Sequence, residues 1–82
     1  MVDYEISDHA RKEMESSNII EDEVKSCLEQ GSLEIKQIVK GEIRYGKKIS
    51  FKDKTIIVIY TKLKDKLRVI TAYPIRRKKW QD

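Results

Sequence analysis

Eighty-two residues make one small domain, which buries only about 60% of its unfolded surface and leaves no room for a deep substrate cavity. Hydrophobic and charged residues each make up 39%, with a mean hydropathy of -0.64 and a net charge of +4, which excludes a disordered chain and describes one small core under a well-solvated surface. One cysteine and one histidine exclude an internal disulfide and a Cys/His zinc site within the chain.

In chain order, no cationic leader follows Met1 and no run of about 18 apolar residues occurs, so a cytoplasmic chain without a membrane segment is expected. Tyr4 to Ile6 reads as a short edge strand, and Ser7-Asp8 as a helix start, with a hydroxyl to cap and a carboxylate in the first turn. The first helix is expected from Asp8 to Ser16, with Ala10 and Met14 on its apolar face. Ser16-Ser17-Asn18 ends it. A second helix is predicted over Glu21 to Gln30, with Ile20, Val24, Cys27 and Leu28 as its buried stripe and Gly31 as its terminator. Cys27 within that stripe reads as a small buried apolar residue.

From Ser32 the hydrophobic period changes to two. Leu33 and Ile35 alternate with Glu34 and Lys36, Ile38-Val39 extends the run, and Gly41 interrupts it; Ile43 and Tyr45 then alternate with Arg44, and Ile49 and Phe51 follow. Ile56 to Tyr60 is continuously apolar, as in a central strand covered on both faces. The charged segment Lys62 to Lys66 suits a hairpin, and Leu67 to Tyr73 returns antiparallel until Pro74 stops it. In that last strand Val69, Thr71 and Tyr73 share one face, and Arg68, Ile70 and Ala72 the other; alternation alone does not choose which faces inward. The expected architecture is α+β: two N-terminal helices packed on one side of a curved antiparallel sheet of three to four strands, in a single domain over residues 1–82.

The charge is unevenly divided. Residues 1–40 hold five basic and ten acidic side chains, net -5, whereas residues 41–82 hold thirteen and four, net +9. A basic, strand-rich half points the sheet at a polyanion, with Lys47 and Lys48 and the tail Arg76, Arg77, Lys78, Lys79 and Trp80 as candidate RNA contacts, the cations for phosphate and the indole for a base. Lysines on exposed sheet edges also discourage aggregation. No Gly-rich phosphate loop, nucleophile elbow or metal-ligand spacing occurs, so no cofactor or metal is expected. His9 with Arg44, Arg68 and Tyr73 is the inventory for cleavage of RNA by its own 2′-hydroxyl, in which imidazole moves a proton near neutrality and cations stabilise the charge on phosphorus.

Ser7-Asp8-His9-Ala10 with Met14, then Ile19, Glu23-Val24, Leu28 and Gly31, then Arg44-Tyr45, Ile56 to Tyr60 and Val69-Ile70-Thr71-Ala72-Tyr73 resemble a family of small uncharacterised prokaryotic domains. That family looks related to the RelE/ParE and BrnT-like toxins, helices followed by an antiparallel sheet. Where it tends to have Arg-Gly-Ile-Ser, this chain has Ser17-Asn18-Ile19-Ile20, in which Asn18 can take a left-handed position but Ile20 removes a cap. The resemblance implies a metal-independent endoribonuclease of a toxin-antitoxin pair, with His9 or Tyr73 for proton transfer, Arg44 and Arg68 for the phosphate, and RNA and a cognate antitoxin as partners. A non-catalytic RNA- or protein-binding module of the same fold is the alternative.

Overall fold

A computed structural model describes residues 2–75. Seven elements follow one another: β1 (Tyr4–Ile6), α1 (Asp8–Ser16), α2 (Glu21–Gln30), β2 (Ser32–Val39), β3 (Glu42–Ser50), β4 (Thr55–Lys62) and β5 (Leu67–Ile75). The five strands form one sheet in the order β1-β5-β4-β3-β2. This corrects the expected antiparallel sheet of three to four strands behind two N-terminal helices. The edge strand expected at Tyr4 to Ile6 is present, but it pairs parallel to the last one, Tyr4 with Leu67 and Ile6 with Val69, so the sheet has five strands and is mixed.

The helices start and stop where their residues dictate. Ser7 Oγ accepts from the Ala10 amide at 3.1 Å, capping α1. Asn18 takes a positive φ of 60° in the link, and Ile19 rather than Ile20 turns into the core, Ile20 being 60% exposed. With no hydroxyl at position 20, the Glu23 carboxylate alone closes the start of α2, accepting from the Ile20 amide at 3.0 Å. Gly31 ends α2 in an extended conformation, φ -70° and ψ 162°, so its glycine is required for space rather than for a left-handed turn. A Cβ there would meet the Cys27 and Lys48 carbonyl oxygens at 2.5 and 2.9 Å.

Both helices lie on one face of the sheet. Ala10, Met14, Val24, Cys27 and Leu28 close over Ile56, Val58, Tyr60, Val69 and Ala72. The central strand β4 is therefore covered on one face and not on both: Ile57 and Ile59 face away from the helices and are only half-buried. On that second face Gly46 lets Ile35 and Ile59 meet over it, which is why isoleucines suit a side without helices. Lys40 and Gly41, with φ of 52° and 81°, form a two-residue turn between β2 and β3 of the kind that requires positive φ at both positions. Pro74 lies within β5 rather than ending it, because β1 spans only the first residues of β5 and the missing N–H finds a free edge there.

The decisive irregularity is in β5. Ile59 pairs with Thr71 but Tyr60 pairs with Val69, so Ile70 is bulged out. The extra residue shifts the alternation midway: Val69 and Ala72 both face the helices, while Arg68, Thr71 and Tyr73 face the other way. Neither face derived from simple alternation is the observed one.

Gly31→Ala is expected to cost about 2 kcal/mol or more in urea unfolding, because the new methyl meets backbone that has nowhere to go. Gly46→Ala, whose neighbours are isoleucine side chains at 2.9–3.1 Å, should cost less. Equal effects would show that the α2 terminus does not sit tightly on β3.

Candidate functional site

β1 runs straight into α1, so the start of that helix is fixed wherever β1 is fixed. The Ser7 amide donates to the Val69 carbonyl at 3.1 Å, and Ser7 Oγ donates to the Ile70 carbonyl at 3.2 Å. One serine thus caps α1 and pins its first turn to the β5 bulge. His9, one residue into that turn, is exposed beside the sheet edge.

A cavity of about 450 Å³ lies at this junction. The cap Ser7 and the first α1 residues Asp8 and His9 contribute to its wall, β3 contributes Glu42 and Arg44, and Thr61, Arg68 and Ile70 complete it with Leu63 from the β4–β5 turn. Three of the four residues singled out for chemistry, His9, Arg44 and Arg68, therefore share one opening. The register explains the arginines, since Thr61 pairs with Arg44 on one side and Arg68 on the other, all three facing away from the core. Thr61 itself is buried, its hydroxyl donating to the Ile43 carbonyl at 2.8 Å. Tyr73 shares that face but pairs with Ile57, roughly 15 Å further along β5 at the usual rise, and does not line the cavity.

Each arginine is held by a carboxylate. Arg44 Nε lies 2.9 Å from Glu42 Oε1, and Arg68 Nη1 lies 3.8 Å from Glu5 Oε2, which also holds Lys66 Nζ at 3.0 Å through its other oxygen. With the arginine side chains 35% and 50% exposed, such pairs are worth at most about 1 kcal/mol each. They orient the guanidiniums without consuming them, since a dianionic or bridging phosphate competes well for a planar fork of donors. Glu42 was legible two residues before Arg44 on the same strand face, but Glu5 becomes visible only through the parallel pairing that sets it opposite Arg68.

The remaining candidates divide. Lys47 faces the helices and donates to the Leu28 carbonyl at 2.7 Å, satisfying the C-terminal end of α2. Lys48 faces the other way, paired with Ile57. Arg76, Arg77, Lys78, Lys79 and Trp80 lie outside the described residues. Among the described residues no three His, Cys, Asp or Glu side chains gather as metal ligands would, and no helix is long and apolar enough to cross a membrane.

Cys27 is not a nucleophile. It is buried, donates its S–H to the Lys47 carbonyl at 3.2 Å, and burial pushes its thiol up to about 11 against the opposing pull of the Val58 amide and Lys47. The folded thiol keeps its proton where the unfolded one would lose it, so its contribution to stability is complete below pH 9.0 and is lost as the pH rises towards about 11. Iodoacetamide at pH 8 should therefore label the chain only after urea unfolding; rapid labelling of the folded chain would contradict this packing.

Compared with protein-family models, residues 6–74 match the Domain of unknown function (DUF4258). No curated protein and no solved structure matches the chain. The match runs from the last residue of β1 to the penultimate residue of β5, taking in both helices and every residue of the cavity wall. It carries no link to the RelE/ParE or BrnT toxins. The chain belongs to the DUF4258 family of small domains.

Proposed function

We propose that this domain is a metal-independent endoribonuclease of the toxin class, related to the RelE/ParE and BrnT-like toxins and acting on RNA in the cytoplasm. The observation that carries the reading is the convergence of His9, Arg44 and Arg68, drawn from three distant parts of the chain, on one cavity at a helix N-terminus. In this reading the arginines hold the scissile phosphate between them and exchange their carboxylate partners for its oxygens. The first turn of α1 adds its positive end to the same place. His9 takes the proton of the 2′-hydroxyl as the 2′-oxygen attacks phosphorus. The bond from phosphorus to the 5′-oxygen breaks, that oxygen takes a proton from water, His9 returns the proton it holds to solvent, and the products are a 2′,3′-cyclic phosphate and a 5′-hydroxyl end.

Lys48 and Tyr73, on the same sheet face away from the cavity, and the tail cations serve to bind flanking RNA in this scheme, not to transfer protons. An antitoxin protein covering this face completes it as the natural inhibitor.

The test is cleavage of RNA by the purified chain, with the new ends identified chemically. His9→Ala and Arg68→Ala should each lower the rate about 10² to 10⁴-fold while leaving RNA affinity within a few-fold. RNA that is bound but left intact, with binding indifferent to His9→Ala, would replace this reading with a non-catalytic binding module.

A further inference from the structure

The sheet has a long free edge. β2 spans Ser32–Val39 and pairs only with β3, and Ile38, 73% exposed, is the most exposed large apolar side chain among the described residues. We propose that a second copy of this chain pairs antiparallel with β2 about a two-fold axis passing between the two Gln37 residues.

The hydrogen-bond pattern fixes which residues can pair. In a two-residue hairpin the residues flanking the turn, here Val39 and Glu42, exchange both hydrogen bonds. By alternation Gln37 with Arg44 and Ile35 with Gly46 do the same, so the N–H and C=O groups of Lys36 and Ile38 point out from the edge. The bonding of Thr61 Oγ1 to the Ile43 carbonyl agrees, since it requires that carbonyl to point at β4 rather than β2.

Charge then chooses among the registers. Centring the axis on Lys36 opposes two lysines directly, and centring it on Ile38 places Lys36 opposite Lys40 of the second copy. Centring it on Gln37 does neither: Lys36 faces Ile38 of the other copy, Ile35 faces Val39, and Glu34 approaches Lys40. The Lys36 methylenes then lie over the exposed Ile38. A lysine and a bulge on an edge ordinarily restrain pairing, and here the shift at Glu34 limits the new ladder to residues 35–39. The result is a closed, weak, concentration-dependent dimer and not a filament.

The dimer has a functional consequence that does not depend on the nuclease reading. Gln37 pairs with Arg44, so the cross-strand row Arg68, Thr61, Arg44, Gln37 continues into its own copy. Two Arg44 residues stand about 14 Å apart, three strand spacings, on one continuous sheet face. Such a face fits an extended polyanion spanning both cavities.

Single cysteines at positions 36, 37 and 38, each in a Cys27→Ala background, test the register under mild oxidation. Gln37→Cys should cross-link to a dimer, because a non-hydrogen-bonded pair on the axis brings its Cα atoms to about 4.5 Å, whereas Lys36→Cys and Ile38→Cys, displaced diagonally by about 7–8 Å, should not. Lys36→Pro removes only an outward N–H, so it should sediment as a monomer with an unchanged circular dichroism spectrum, while the natural chain shifts towards dimer as concentration rises. Cross-linking led by position 36 or 38, equal cross-linking at all three, or a natural chain that stays monomeric near millimolar concentration would overturn the proposal, the last leaving this edge to a strand from a different protein.

Discussion

Everything distinctive about this domain depends on how the start of α1 is tied to β5. Two hydrogen bonds from Ser7, amide to Val69 and hydroxyl to Ile70, fasten the helix to the sheet at the place where β5 carries an extra residue. The same hydroxyl accepts from Ala10, so helix capping and docking are one interaction. Without the bulge, Arg68 and Ala72 would share a face, and either the arginine would enter the core or the alanine would leave it. With it, Val69 and Ala72 both seal the core while Arg68 turns to the open face beside His9.

That division of faces governs the energetics as well as the site. An 82-residue chain has little apolar surface to bury, and here it is spent on one side of the sheet, where two short helices cover the middle strands. The other side keeps isoleucines that touch across Gly46 and, at one end, a row of paired charges. A site built on rigid strands and the first turn of a docked helix is held more firmly than one on loops, and weak ion pairs hold its arginines in place.

Much of this was legible locally. The Ser7 cap, the acidic first turn of α2 and the apolar stripes gave both helices the bounds they have, and Asn18 takes the left-handed conformation its position needed. What local pattern does not carry is pairing at a distance. Three residues of β1 have no period of their own, and only their parallel docking against β5 shows that the sheet is mixed. The bulge at Ile70 left no trace in the composition of Val69 to Tyr73, yet it overrode the alternation. For the site, the residue types His9, Arg44 and Arg68 were readable, but their meeting and the separation of Tyr73 depend on register. Lys47 looked like its neighbour Lys48, and one step along a strand sends it to the opposite face, against the end of α2.

The most direct test of the account is a nuclear magnetic resonance titration of the ¹⁵N-labelled chain with a short RNA whose 2′-hydroxyls are methylated, which binds without being cut. The account predicts that the largest shifts gather at residues 7–9, at Arg44 and Thr61, and at Arg68 and Ile70, because these surround one phosphate. Shifts that leave the start of α1 untouched while moving only the sheet would contradict it, since His9 and the arginines would then not serve one site.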